Sequence, residues 1–390
     1  METSLVPVVS FNFSMAEIDF GFVDNRTNSS PPDCSAMMYT QPAFAQFLWS
    51  LLFGVMIVIA AGGNIIVVWI VLAHRRMRTV TNYFLVNLAI ADAMVATLNV
   101  PFNFSFLLNN IWYFGFVYCK IARCLGVLTV IASVFTLSAI AVDRYIAIVH
   151  PMRPRMSKSR AKTIIAFVWV IATIICLPLL IYARTKDLPC KDGKRTICIL
   201  EWPDGTFSDY DFWYNVASMI LAYFLPLSAM AVSYTIVGIK LWVSHAPGES
   251  SSRHREQLKA KRKVVKMMIV VVLLFAICWL PVHVYILLGR HHREIYRSEH
   301  IQEIYMFIYW LAMSNSMTNP FIYCWMNDRF RKGFKKALRF LPGVKWKPED
   351  SIDAPRPSTL SSYASGHSMK LSRNGSVMTT VEDAPAENVL

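Results

Sequence analysis

Seven stretches of the chain are apolar over about the twenty residues that a helix needs to cross a bilayer. They run roughly over 44–73, 80–108, 118–149, 163–183, 212–239, 267–288 and 304–326. Five of them carry no Asp, Glu, Lys or Arg. The second carries only Asp92, and the third holds Lys120 and Arg123 at one end and Asp143 and Arg144 at the other. Segment 244–262 is polar with Pro247-Gly248 and reads as a loop, and 351–380 is rich in Ser and Thr. Past the last stretch, Asp328 to Phe340 sets Phe330, Phe334 and Leu338 on one helical face and Arg/Lys on the other. That pattern predicts a basic amphipathic helix on the anionic inner leaflet. The expected fold is an all-α membrane protein, a seven-transmembrane helix bundle with a short amphipathic cytoplasmic eighth helix. Its expected parts are an N-terminal tail (1–43), the bundle (44–326), a membrane-surface helix (327–341) and a disordered cytoplasmic tail (342–390).

Composition fits this reading. Charged residues make up 16% of the 390 positions and apolar ones 55%, against about 25% charged in soluble domains. The net charge of +14 would point to nucleic acid in a soluble protein, but these charges flank the apolar stretches. One side of the membrane receives 27 Lys and Arg and the other nine, so the basic side is cytoplasmic and the N-terminus lies outside. The outer tail then carries glycosylation sequons at Asn12, Asn25 and Asn28. Cys34, Cys119, Cys190 and Cys198 also fall on that oxidising side. The N-terminus lacks the basic region of a cleaved signal peptide. A transporter would show inverted repeats, and an intramembrane hydrolase would show a metal-ligand cluster; the sequence shows neither pattern.

Polar side chains inside the bundle need a reason, because lipid does not solvate them. Asn64, Asp92, Ser133, Asn315, Ser316 and Asn319 fall at similar depths. They can converge on a pocket that holds a hard monovalent cation, sodium, on the Asp92 carboxylate, or form a packing cluster without an ion. Asp143-Arg144-Tyr145 closes the third stretch with a charge pair that a partner can break, or with a simple interfacial anchor. Pro178, Pro226, Pro281 and Pro320 interrupt helices, and Trp279 stands two residues before Pro281 as a bulky lever.

Taken in order, Gly63-Asn64, Leu88-Ala-Ile-Ala-Asp92, Trp112, Cys119, Asp143-Arg144-Tyr145, Trp169, Pro226 with Tyr234, Cys278-Trp279-Leu280-Pro281 and Asn319-Pro320-Phe-Ile-Tyr323 resemble the rhodopsin-class G-protein-coupled receptors over about residues 44–340. Within that class, Lys261 to Val272, Phe275 to His283, Ile199-Leu-Glu-Trp-Pro203, Trp310 to Ser314 and Asn327-Asp-Arg-Phe330 are similar to tachykinin (neurokinin) receptors, of the invertebrate tachykinin or natalisin-like branch.

The resemblance implies a multi-pass plasma-membrane receptor, not an enzyme. Its agonist would be an amidated neuropeptide of tachykinin type; a natalisin or a neuropeptide Y-like peptide is the alternative. The G protein would be Gq-type, with phospholipase C and calcium release downstream. The implied ligand-binding residues are Asn99, Asn103, Glu201, Trp202, Asp211, His283, Tyr309 and Met313. Glu201, Asp211 and Glu303 compete as the acid for a ligand ending in Arg-amide. The implied switch residues are Trp279, Pro281, Asn319, Pro320, Tyr323 and Tyr234. Coupling is carried by Asp143, Arg144, Tyr145, Lys263 and Lys266. Implied disulfides are Cys119–Cys198 and Cys34–Cys190. Arrestin and receptor kinases would use the Ser/Thr-rich tail, and membrane lipid surrounds the bundle. No nucleic acid is expected, and no cofactor beyond an allosteric sodium ion. The sequence departs from the class in having Lys261-Arg262-Lys263 where many members place a Glu at the inner end of the sixth helix. Arg144 is then expected to rest on Asp143, with weak restraint of the inactive form.

Overall fold

The computed structural model describes residues 10–11, 16–17, 41–190, 193–205, 208–242, 252–292, 300–347 and 352. The three sequons, Cys34 and the Ser/Thr-rich tail lie outside the described residues, so the Cys34–Cys190 expectation does too.

Eight helices carry the fold: α1 Ala43–Ala73, α2 Val80–Asn109, α3 Gly115–Val149, α4 Lys158–Tyr182, α5 Asp209–Trp242, α6 Ser252–His291, α7 Ile301–Met326 and α8 Asp328–Ala337. Side-chain caps set several starts. Thr79, Ser157, Ser208 and Asn327 accept from the backbone N–H of Asn82, Arg160, Asp211 and Arg329, which satisfies donors that the first turn leaves open. Among the described residues, six helices are long and apolar enough to span a bilayer by composition. α7 completes the set of seven. It is 26 residues long but carries Ser314, Asn315, Ser316 and Asn319 on a buried face, which dilutes its apolar signal.

The helices pack around α3, which touches α2, α4, α5 and α6, while α7 closes the ring between α1 and α6. Gly63 makes that closure close. A Cβ there would stand 2.9 Å from the ring of Pro320. Outward, Phe47, Val58, Ile174, Ile239, Ile277 and Phe321 are exposed. A bundle that leaves such side chains uncovered in every direction is solvated by lipid.

Three features depart from the sequence expectations. First, α6 begins at Ser252, so 252–262 is helix and not loop. Gln257, Leu258, Lys259 and Ala260 are strong helix formers that extend the span inward. Second, besides a short strand pair near the N-terminus, β1 Ser10–Phe11 with β2 Ala16–Glu17, the outer segment after α4 is an antiparallel hairpin, β3 Ala183–Cys190 against β4 Gly193–Leu200, in register from Ala183↔Leu200 to Cys190↔Gly193. Third, the apolar face of α8 lies on the bundle. Phe330 and Phe334 are buried, Phe330 stacks near Tyr323 at 5.6 Å, and a Cβ on Gly333 would strike Ile70 at 2.7 Å. Burial against protein removes those rings from the leaflet and leaves Phe340 and Leu341 as the exposed apolar groups.

Candidate functional site

At the outer ends of the helices, the β3–β4 hairpin packs on α3. The hairpin is fastened to α3 by the Cys119–Cys198 disulfide, with Cα atoms 5.7 Å apart. Trp112 N–H donates to the Thr196 carbonyl at 2.7 Å, and Lys120 Nζ donates to the Leu180 carbonyl at 3.1 Å.

The expected ligand residues are not equivalent. Asn103 Nδ2 donates to Asn99 Oδ1 at 2.7 Å, and Asn99 Nδ2 points at Met313 Sδ at 3.9 Å. The two asparagines are thus joined across one turn and tied to α7. Tyr309 stands one turn outward of Met313, and its hydroxyl is buried without a hydrogen-bond partner. Of the three acids, only Asp211 is enclosed. Its Oδ1 accepts from Trp202 Nε1 at 2.9 Å and its Oδ2 from Asn215 Nδ2 at 3.0 Å. Glu201 is exposed, and Glu303 faces His300 at 3.7 Å near the surface. Trp202 is itself buried between Tyr182 and Tyr214 at 4.9 and 5.6 Å, so it positions Asp211 and presents little open face.

On α6, His283 lies 4.6 Å from the ring of Tyr223 and 6.4 Å from Trp279, and Trp279 lies 6.1 Å from Phe275. Pro281 sits inside α6, where it removes one helix hydrogen bond. The Tyr223 hydroxyl donates to the Ala276 carbonyl at 2.8 Å, so α5 braces α6 at the level of the kink. Both α5 and α2 contain a five-residue π-helical turn, Ile220–Phe224 and Val95–Asn99, each just before a proline. The extra residue in such a turn re-aims the side chains beyond it.

At mid-depth, Asn319, Ser133 and Ser316 gather at Asp92. Asp92 Oδ2 accepts from Asn319 Nδ2 at 2.7 Å and Oδ1 from Ser133 Oγ at 3.4 Å. Asn64 Nδ2 donates to the Ser316 carbonyl at 2.8 Å. The amide oxygens of Asn64, Asn315 and Asn319 are buried with no partner. A carboxylate beside hydroxyl and amide oxygens is the donor set that a hard cation selects, so Asp92 with Ser133 and Asn319 fits sodium.

The inner end is closed by different chemistry. Arg144 Nη2 binds Asp143 Oδ2 at 2.6 Å and Thr81 Oγ1 at 2.5 Å, and Thr81 donates to the same carboxylate at 3.0 Å. Tyr145 meets His150 edge-on, with ring centroids 5.5 Å apart. Tyr234 and Tyr323 are buried, the Tyr323 hydroxyl without a partner. Lys266 is exposed, while Lys263 meets Asp328 of α8 at 3.1 Å. The hydrogen bond from Lys263 holds the Asp328 carboxyl below the usual carboxylate range, helped by the nearby Arg331 charge. Arg262 donates to the Leu241 carbonyl of α5 at 2.9 Å.

Several structural residues escaped the sequence reading. Asn87 joins three helices, accepting from Trp169 Nε1 at 2.8 Å and donating to Thr136 Oγ1 at 2.8 Å. Its place four residues after Tyr83 on the face of Asp92's helix was the available signal. Thr81 gave none. Cys124 of α3 and Cys176 of α4 form a second bridge, with Cα atoms 5.0 Å apart; both lie in apolar stretches where a cysteine reads as core.

Residues 63–323 match the 7 transmembrane receptor (rhodopsin family). The chain is 51% identical over 311 residues to the tachykinin-like peptides receptor 99D of Drosophila melanogaster, covering 79% of this chain and 60% of that receptor's length. It is 44% identical over 361 residues to the substance-P receptor of Homo sapiens, covering 93% and 86% of the two chains. It is 47% identical over 315 residues to the human neuromedin-K receptor, covering 81% and 66%. With its ordered motifs, its seven-helix bundle and this likeness, the chain belongs to the rhodopsin family of seven-transmembrane receptors and, within it, to the tachykinin receptors.

Proposed function

We propose that this protein is a plasma-membrane receptor that binds an amidated tachykinin-type peptide in its outer cavity and activates a heterotrimeric G protein of the Gq type. The N-terminus is extracellular and the C-terminus cytoplasmic, as the surplus of Lys and Arg on the inner side requires. The reading rests on one observation above all. A hairpin bridged to α3 and a buried Tyr309 hydroxyl without a partner stand at the outer ends of helices whose α6 carries the Trp279–Pro281 pair, in a chain about half identical to a receptor named for tachykinin-like peptides.

The peptide enters from outside beneath the β3–β4 roof. Asn103 and Asn99 carry the donors and acceptors that suit a carboxamide. Asp211, buried and already oriented by Trp202 and Asn215, is the acid for a cationic terminal residue. That favours a peptide ending in Arg-amide, the invertebrate tachykinin or natalisin ending, over one ending in Met-amide. His283 joins the ligand to Tyr223 and Trp279. A ligand that binds one helix arrangement better than the other shifts the population toward it. Moving from 1:99 to 99:1 takes about 5.5 kcal/mol of differential affinity, which a few buried charged contacts supply.

The favoured arrangement swings the inner end of α6 outward about Pro281. Arg144, Tyr234 and Tyr323 then exchange partners and open a cleft for the C-terminal helix of a Gα subunit. The exposed basic residues around 153–162 and 259–266 provide complementary charge. Sodium on Asp92, Ser133 and Asn319 would stabilise the closed arrangement by neutralising the carboxylate. Phosphorylated Ser and Thr between 358 and 380 would engage arrestin.

The test is a calcium-release screen in cells bearing the receptor, using amidated peptides ending in FxGxR, FxxxR and FxGLM, with GDP–GTP exchange on purified receptor as confirmation. The expected result is saturable exchange, with the Arg-amide peptides more potent. Failure of every peptide to accelerate exchange at receptor that is folded and on the surface would contradict the reading.

A further inference from the structure

Residues 259–266, on the inner part of α6, contain no acid, so no carboxylate on that stretch can hold Arg144. The inner end of α6 is tied to α5 instead. Arg262 donates from Nε and Nη2 to the Leu241 carbonyl, at 2.9 and 2.5 Å. Its guanidinium also lies over the Trp242 indole, 5.7 Å from the ring centroid. Leu241 and Trp242 are the last two residues of α5. The final carbonyls of a helix have no partner within it and carry the negative end of its dipole. Arg262 therefore caps α5 from the neighbouring helix. It is half-buried there, while Lys261 and Lys263 on either side of it are exposed.

The position of this contact along α6 decides what it can do. At 1.5 Å per residue, Arg262 stands about 28 Å from Pro281, so a tilt of about ten degrees at the proline carries it about 5 Å. A hydrogen bond does not survive such a displacement. The other printed tie between the two helices behaves differently. The Tyr223 hydroxyl meets the Ala276 carbonyl at 2.8 Å, only about 8 Å along α6 from Pro281, where the same tilt moves the backbone by about 1 Å. That brace persists at the pivot, and the contact at the far end breaks. Lys263 and Asp328 also meet at the far end, but that pair is exposed and contributes little. Two charge-assisted hydrogen bonds to one carbonyl, backed by an aromatic ring, make the stronger restraint.

Building on the outward swing of α6 described under the proposed function, we propose that Arg262 is the main restraint on the inner end of α6 in the closed arrangement. Its guanidinium holds α6 against the terminal carbonyl and the indole of α5, and the swing must release both. Arg262 is thus a positioning residue. It sets how much of the receptor is closed without touching the peptide, and it takes the place of an acid that would tie α6 to Arg144.

GDP–GTP exchange by purified full-length receptor without peptide tests this, with surface level in cells measured in parallel. Arg262→Gln is expected to raise basal exchange about tenfold, the effect of losing hydrogen bonds to a charged group. It should also lower the half-maximal concentration of a peptide ending in FxGxR-amide severalfold and leave maximal exchange unchanged, as a shift in population does. Arg262→Lys should fall between wild type and Arg262→Gln. Trp242→Leu removes only the ring and should raise basal exchange about threefold. Added to Arg262→Gln it should change little further, because the indole acts through the guanidinium. Unchanged basal exchange in Arg262→Gln would overturn the proposal. So would a fall in both basal and stimulated exchange, which would place Arg262 against the G protein. If Arg262→Gln does not reach the surface, a spin-label distance decides, with labels on Lys240→Cys of α5 and Lys261→Cys of α6, both positions exposed. Peptide and G protein should lengthen it by several ångströms. A fixed distance together with stimulated exchange would overturn the restraint and leave the receptor reading intact. No stimulated exchange with any amidated peptide would overturn both.

Discussion

The outer and inner halves of the bundle hold their polar groups in opposite ways. Outside, a covalent bridge and a hairpin fix the roof, and beneath it the Tyr309 hydroxyl is left without a partner. Inside, the charged groups at the helix ends are paired with one another: Thr81 with Asp143 and Arg144, and Lys263 with Asp328. The first arrangement is rigid and incomplete, as a binding site should be. The second pairs its charges, with the Lys263–Asp328 contact exposed and exchangeable at small cost and Asp143 buried beneath Arg144.

The largest effect should come from breaking the roof. Cys119→Ser or Cys198→Ser removes a bridge worth about 2–5 kcal/mol in small extracellular domains. Peptide binding is expected to vanish and surface level to fall, as read by labelled-peptide binding and surface staining. Next comes Gly333→Val, which drives a side chain into Ile70, since even a lone Cβ there would stand 2.7 Å from it. Overpacking of this kind costs about 1–3 kcal/mol, and the melting temperature of purified receptor should drop by several degrees while peptide affinity holds.

Changes at the inner end should be smaller for stability and visible mainly in signalling. Thr81→Val leaves Arg144 with Asp143 alone, and basal nucleotide exchange should rise by about threefold, the effect of one modest hydrogen bond. Lys261→Glu places an acid near the inner end of α6, and it should lower basal exchange. An unchanged basal rate would show that α6 is restrained by something other than these charges. The smallest effect belongs to Asp328→Asn. The contact with Lys263 is exposed, and such pairs contribute about 0–1 kcal/mol, so basal exchange should change less than about twofold. Because the Asp328 carboxyl is held low, the contact persists from neutral pH downward and is lost only as pH falls through that depressed value. Basal exchange between pH 6 and 8 should therefore have the same slope in wild type and Asp328→Asn.

How much of this was legible in the sequence depended on whether a residue was out of place. Asp92 stood out as a carboxylate in an apolar run, and its neighbours at matching depth converge on it. Arg144 and Asp143 stood out for the same reason. Thr81 and Asn87 did not, because hydroxyl and amide side chains are common in helices and only the tertiary contact reveals their work. The face of α8 was legible as a face, but periodicity says that Phe330 and Phe334 are covered without saying by what. The β3–β4 hairpin was hidden because Arg184 to Cys190 shows no clean alternation, and the π turns were hidden because only the proline that follows each one marks its place. Asp211 was separable from Glu201 and Glu303 only by burial.

The most direct test of the coupling between the halves is a spin-label distance between Lys158 at the start of α4 and Lys261 on the inner part of α6, both exposed. Addition of a saturating Arg-amide peptide and G protein is predicted to lengthen that distance by several ångströms. A distance that stays fixed while the peptide is bound would contradict the account.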